Sequence, residues 1–313
     1  MASISSVECS FEEFSNLSLE LKKWCNDSNF VPLFKRVDDG VRAAALNESK
    51  LGLCVELGRL IPAEPATDNK YPSLHYMSML GEKLAEGDEE PGCYKDFLGL
   101  DYHGKVVSHI DAFSHISFNG EFFGGLNASS AIDSKGVKEQ SCDVTAFGGI
   151  VTRGVLLDMT KLTDSRWCEP GQVWTEEDVN KILELENVSL RSGDALLFHG
   201  GHDVRRREMG AWDPDQFSAG LDCRAVPSLL KRGVTFFGAD GETDVRPSPV
   251  DRVTLPIHVL CLVIAGIPLL DNLKLDDLAA ECARLNRWTF TLVVAPLRVR
   301  GGTGSPVNPL AIF

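Results

Sequence analysis

None of the chain's nine cysteines stands in a CxxC pair. Zinc ribbons and thioredoxin-like redox sites both need that spacing, so neither is expected. An odd count in a chain of 313 residues is also a poor disulfide framework, which points to free thiols and a reducing compartment. Long apolar runs are missing too: the longest, VLCLVIAGIPLL from Val259, is too short to span a bilayer and holds a glycine and a proline. The opening MASISSVECSFEEFSN has no charged-then-apolar leader pattern, so a secretory signal is not expected. Basic residues are the scarcer charge, 31 against 45 acidic ones, and the net charge of −14 repels phosphate backbones and anionic lipid. Nucleic acid and membrane are therefore poor partners. No GxSxG elbow occurs, which counts against an α/β serine hydrolase. The glycine-rich GGTGSP at 301–306 lacks the strand-then-helix setting of a phosphate loop. These absences lead us to expect a soluble, cytoplasmic protein.

The chain is long enough to bury a sizeable core, and no repeat or Pro/Ser-rich linker divides it. Residues 1–50 are polar and carry SLELKKWCNDS, which reads as a peripheral helical extension, and 51–313 read as one domain. Short apolar runs there suit strands: LCVELGRLIP, GVLLDM, SGDALLFHGG, GVTFFGAD and FTLVVAPLRV. Helical stretches lie between them. TEEDVNKILELEN offers Thr175 as N-cap with Asp178 three residues on, a pattern like a capping box. LPIHVLCLVIAG has Pro256 for a first turn and Gly266 for a stop. LDDLAAECARLNRW has Asp276 and Asp277 near its positive end. Alternating strands and helices predict a single α/β domain.

Against this background one stretch stands out. YHGKVVSHIDAFSH, residues 102–115, holds three of the chain's seven histidines, His103, His109 and His115, together with Asp111. Residues two apart on a strand point the same way, so His109 and Asp111 would present an imidazole and a carboxylate to one point. That pair suits zinc, manganese or iron(II) better than calcium. His115 keeps even spacing from both and is placed to act as a base on water whose pKa a cation has lowered. A solitary HxD is more often a loop or capping pair. The neighbouring histidines shift the weight towards a site.

SHIDAFSH resembles the core of the metal-dependent cyclase family that includes bacterial kynurenine formamidase and isatin hydrolase. The signature there reads H-x-G-T-H-x-D-x-P-x-H, with the first H/H/D as metal ligands and the last His as acid/base. SGDALLFHGG, GVTFFGADGETD, LPIHVLCLVIAGIPLLDNL and the C-terminal APLRVRGGTGSPVNPLAIF are similar to further segments of that family, so roughly residues 50–313 are covered. The resemblance implies a swivelling β/β/α, kynurenine formamidase-like single domain, and a homodimer or homotetramer. It also implies a divalent metal, Mn or Zn, held by His109 and Asp111, with His115 as catalytic base. His258 and Asp271 fall where the formamidases have a His and a Glu that bind a second metal or support the base, with Asp271 the shorter acid. Left to their own chemistry, the two are more readily a first-turn histidine and a turn carboxylate.

Three departures follow. Lys105 stands where the family has its first ligand histidine, Ser108 replaces its Thr, and Phe113 replaces its Pro. A protonated lysine is a poor ligand. His103 shares its parity on a strand and is the candidate replacement. Phe113, His202 and Arg205 are the candidate substrate contacts, since arginine's fork matches a carboxylate, although the run RRR at 205–207 reads more readily as a solvated face. His75 reads as a partly buried structural residue. The expected activity is metal-assisted attack of water on an amide, lactam or ester carbonyl of a small molecule, or the reverse ring closure. Two alternatives stay open: a metal-free cyclase or dehydratase in which Lys105 displaces the metal, and a non-catalytic small-molecule-binding protein on the same fold.

Overall fold

The computed structural model describes residues 8–27, 32–81 and 92–313. Its centre is a nine-stranded sheet of mixed direction. The strands that matter here, with a separate hairpin numbered among them, are β1 (Cys54–Glu56), β2 (Leu74–Leu80), β3 (Tyr94–Gly99), β4 (His109–Asp111), β5 (Ile150–Asp158), β6 (Ala195–His199), β7 (Phe236–Ala239), β8 (Leu269–Asp271), β9 (Thr289–Val294), β10 (Gly304–Pro306) and β11 (Leu310–Ile312). The sheet runs β1-β11-β9-β5-β6-β7-β8-β4-β10. Strands β5 to β8 are parallel neighbours, and antiparallel strands extend the sheet on both sides. This is the mixed α/β architecture expected.

The parallel strands are apolar because helices cover them. Between β5 and β6 lies a helix at Glu176–Leu185, and Thr175 and Asp178 form the reciprocal capping box that the sequence predicts. Between β7 and β8 runs a short helix at Pro256–His258 that widens into π-helical winding over Val259–Ala265. The expected stop is real: Gly266 adopts φ 64°. The wide winding was not foreseen, and each of its seven residues is buried. A final helix, Asp276–Leu285, follows β8.

The N-terminal part is helical in its described residues, with α1 over Phe11–Asp27 and α2 over Asp39–Leu46. It is not merely peripheral. Phe14 and Leu21 of α1 are buried in the main core, and Phe14 meets Phe118 edge to face at 6.0 Å. All nine cysteines are free thiols, and only Cys54 and Cys93 are exposed. Among the described residues no helix is long and apolar enough to cross a membrane.

Strands β2 and β3 form a hairpin outside the sheet, pairing only with each other. His75, expected to be partly buried, is exposed on this hairpin, where its Nε2 lies 2.9 Å from an Asp96 oxygen.

Candidate metal centre

Strand β4 is short and buried, held antiparallel between β8 and β10. Its three residues, His109, Ile110 and Asp111, alternate. Ile110 turns into the apolar core, and His109 and Asp111 share the opposite face. Register then brings Asp271 directly opposite His109, and Gly304 opposite Asp111. Gly304 has to be small: a Cβ there would lie 2.6 Å from the Ile110 carbonyl and 2.8 Å from His103 Cε1.

His103 arrives from the turn that precedes β4. Asn272, the residue after Asp271, holds this turn by donating to the carbonyls of Gly104 at 2.9 Å and Val107 at 3.3 Å. His103 places Nδ1 3.0 Å from Asp111 Oδ1, while its Nε2 lies 3.0 Å from the Thr303 hydroxyl. His109 places Nε2 3.5 Å from the same oxygen, and its Nδ1 lies 2.8 Å from the Val107 carbonyl. A carbonyl can only accept, so His109 carries its proton on Nδ1 and keeps a lone pair on Nε2. His115, just after β4, brings Nε2 to 4.0 Å from Asp111 Oδ1. From the other side, His258 brings Nε2 to 3.3 Å from Asp111 Oδ2 and 3.5 Å from Asp271 Oδ2. Its Nδ1 lies 2.5 Å from Asp244 Oδ2, a carboxylate that also accepts from the backbone N–H groups of Ile257 and His258.

One observation sets the chemistry. Asp111 is fully buried, and neither of its oxygens accepts a hydrogen bond; His103 Nδ1 and Asp271 Oδ1 are likewise buried without one. An unpaired buried carboxylate costs several kcal/mol, so a cation is the partner its chemistry asks for. The donor set fits one. Nitrogen and carboxylate ligands are those of zinc or manganese, and the His103 and His109 nitrogens lie 3.0 and 3.5 Å from the same Asp111 oxygen. His103, His109 and Asp111 form one group that could hold a metal ion, and Asp111, His115 and His258 a second around the same carboxylate.

Burial would raise the Asp111 pKa, but His115, His109, His103 and His258 together hold it well below the usual carboxylate range. Burial pushes His115 down to about 4, and the flanking imidazoles add to that against Asp111. His115 is therefore a neutral imidazole at ordinary pH. Burial also works against protonated His258, yet the carboxylates of Asp111, Asp244 and Asp271 outweigh it and raise His258 well above its ordinary value.

Six of the residues singled out in the sequence thus converge: His103, His109, Asp111, His115, His258 and Asp271. Lys105 does not join them. Its ammonium pairs with Glu242 and lies 3.0 Å from Asp215 Oδ1. A cavity of about 200 Å³ opens beside His103 and Lys105, walled by Thr67 to Tyr71, Asp213 and Asp215. The expected substrate contacts lie elsewhere. Phe113 is fully buried and packs its ring against Phe34, Phe123 and Phe147, which leaves no face for a ligand. His202 contacts Arg59 at 3.0 Å and Trp212 at 4.5 Å between ring centroids, and the Arg205 guanidinium lies over Trp212 at 4.3 Å. Neither lines that cavity.

Sequence reasoning missed Asp244, Thr303 and Asn272. The acidic alternation in ADGETD was visible, but nothing in it pointed to His258, fourteen residues on. A third group, His199 with Asp240 and Asp276, has the residue types of a metal site. Both its imidazole nitrogens are spent, with Nδ1 2.9 Å from Asp158 Oδ1 and Nε2 3.1 Å from Asp276 Oδ1. It reads as an ion network.

Residues 59–243 match the model of the family described as Cyclase. Among solved structures, the chain is similar to a crystal structure described as a novel cyclase. The identity is 22% and the TM-score 0.73, covering 90% of this chain and 95% of that one. It is also similar to an isatin hydrolase bound to the product analogue thioisatinate, at 19% identity and a TM-score of 0.55, covering 87% and 95%. Isatin hydrolase A from Ralstonia solanacearum gives 19% and 0.55, covering 83% and 91%. At such identities the likeness is one of fold. No curated protein matches the chain.

Proposed function

This chain belongs to the cyclase family, and we propose that it is a metal-dependent hydrolase or cyclase acting on an amide, lactam or ester carbonyl of a small molecule. The observation that carries the reading is the fully buried Asp111 carboxylate, unpaired at both oxygens and ringed by four imidazoles. His109 Nε2, Asp111 and His103 Nδ1 are the ligands, and His103 takes the place that Lys105 leaves vacant. When bound, a divalent cation supplies Lewis acidity, which lowers the pKa of water and polarises a carbonyl.

The side chains do the rest. The Val107 carbonyl accepts from His109 Nδ1, and Thr303 orients the His103 ring, so that His109 Nε2 and His103 Nδ1 face the centre. His115, neutral because it is buried, takes the proton from the attacking water and returns it to the leaving group. With Nδ1 held by Asp244, His258 points Nε2 at Asp111 Oδ2 and Asp271 Oδ2, 3.3 and 3.5 Å away. Substrate enters through the cavity beside His103, whose size admits a ring system of modest dimensions. The same groups, used in reverse, close a ring with loss of water.

The test strips the protein with chelator, replenishes it with Mn or Zn, and measures bound metal and hydrolysis of small lactams, formanilides and aryl esters. Wild type is expected to bind metal and to turn over one of these classes, and Asp111→Asn to do neither. Equal metal content in both proteins sinks the ligand assignment.

A further inference from the structure

Two lysines from different segments, Lys70 and Lys105, wall the cavity beside His103. They share one carboxylate: Asp215 Oδ1 lies 3.0 Å from Lys105 Nζ, and Asp215 Oδ2 lies 3.4 Å from Lys70 Nζ. Among the described residues, these two ammoniums are the only partners of that carboxylate. Asp213, on the same turn, is held differently. Besides Lys70 it accepts from the Asp215 N–H and from the Gln216 side-chain amide, each at 3.2 Å. Asp213 is thus built into the turn, and Asp215 rests on the lysines alone. The Asp215 side chain is 49% exposed and that of Lys105 only 15%, so the acid can swing into water while the lysine stays. So open an ion pair is worth little, and a second carboxylate can take its place.

We propose that Lys70 and Lys105 form a carboxylate subsite in which Asp215 is the resident stand-in. The substrate is then an amide, lactam or ester that bears a free carboxylate apart from the carbonyl that reacts. This rests on the catalytic reading above for the reacting carbonyl and adds the charge of the molecule that carries it. The charges agree. Lys70 also meets Asp213, Lys105 also meets Glu242, and Glu242 has Arg246 as a further partner. With Asp215 turned out, three cations face two carboxylates, and the surplus suits one incoming anion. Of the other acids on the wall, Asp68 is paired with Arg206, and Asp101 is exposed to water that screens it. Position also agrees. Lys105 is two residues from His103, and both line a cavity of about 200 Å³, so a small molecule can span from the lysines to the candidate metal centre.

Calorimetric titration of the metal-loaded full chain with benzoate, and with neutral benzamide of the same shape, tests this. Wild type is expected to bind benzoate about tenfold or more tighter than benzamide, because only the anion meets the ammoniums. Benzenesulfonate, an anion but a poor metal ligand, should follow benzoate. Lys70→Met changes a half-exposed side chain, so the fold should persist by circular dichroism, and benzoate should weaken about tenfold. Asp215→Asn removes a tethered competitor and should tighten benzoate about fivefold or more. Asp101→Asn removes the same charge from the cavity wall without vacating the subsite, and should stay within about twofold of wild type. Equal affinity for benzoate and benzamide overturns the proposal, as does benzoate binding that benzenesulfonate does not share. So does a folded Lys70→Met that binds like wild type, or an Asp215→Asn no tighter than Asp101→Asn. Metal content measured on the same samples separates the two readings: a protein that takes up no metal yet binds benzoate in the expected pattern loses the catalytic reading and keeps the subsite.

Discussion

The imidazoles of His103 and His115 lie ring on ring, 3.9 Å between centroids and 6° from parallel. Both reach Asp111 Oδ1, one from 3.0 Å and the other from 4.0 Å. Two imidazolium ions stacked so closely would repel strongly in a buried place. The stack therefore suits the division of labour proposed above, in which one ring gives its lone pair to a cation and the other remains a neutral base.

That division can be measured. His115→Gln is expected to keep wild-type metal content and lose about 10²–10⁴-fold in turnover, the usual worth of a positioned base. His103→Ala is expected to lose metal affinity first, and its turnover should recover when metal is added in excess. Metal content by mass spectrometry beside turnover at two metal concentrations separates them. The same defect in both variants refutes the assignment.

Lys105 yields a second expectation. Its ammonium is spent on Glu242 and Asp215, and Glu242 also holds Arg246 at 3.2 Å. Lys105→Met is expected to leave bound metal unchanged while lowering stability by about 1–3 kcal/mol, since a nearly buried carboxylate loses one of two partners. Denaturant unfolding gives the stability, and loss of metal from this variant would show that the lysine shapes the centre after all.

Asp244 is the strongest candidate for a residue that acts through another. It grips His258 Nδ1 at 2.5 Å and the first turn of that helix by its backbone. Asp244→Asn keeps the shape and removes the charge. Turnover should fall about 10–100-fold, as is common for partners of histidines at metal sites, with KM nearly unchanged. A rise in KM alone would place the effect in substrate binding instead.

His199 links pH to stability. Burial opposes its charge, but Asp158 and Asp276 outweigh burial and raise it to about 10 from an ordinary 6.5. A raised folded-state pKa means that the native chain holds this proton longer than the unfolded chain. The stabilisation is complete below about pH 6.5 and is lost as pH climbs through 10, with a total of a few kcal/mol. Thermal midpoints of wild type should drop across this window, and His199→Gln should start lower and drop less. Parallel curves would remove His199 from the account.

How much of this could be read from the chain depended on range. Local rules were enough for the Thr175–Asp178 capping box, the Gly266 stop and the strand that aligns His109 with Asp111, because each is settled by neighbours along the sequence. His258 and Asp271 could be placed at the site only through family resemblance, since sheet register joins Asp271 to β4 across well over a hundred residues and His258 reaches it from the helix that precedes β8. Phe113 was misread as a substrate contact because burial depends on Phe34 and Phe147, which are distant in sequence. Asp244 was missed because a carboxylate's partner is chosen by the turn between β7 and the next helix. His75 was misjudged because nothing in an apolar stretch tells whether the core covers it.

The π-wound segment after His258 has a consequence for how this site tolerates change. Each of its hydrogen-bonded rings spans one peptide more than in an α-helix, and all seven residues lie in the interior. Removing a single residue between Val259 and Ala265 would let the coil tighten to ordinary pitch, rotating the imidazole before it relative to the sheet behind. The aim of that ring is therefore fixed by a count of residues as much as by its neighbours, and conservative replacements here should be borne far better than a one-residue deletion.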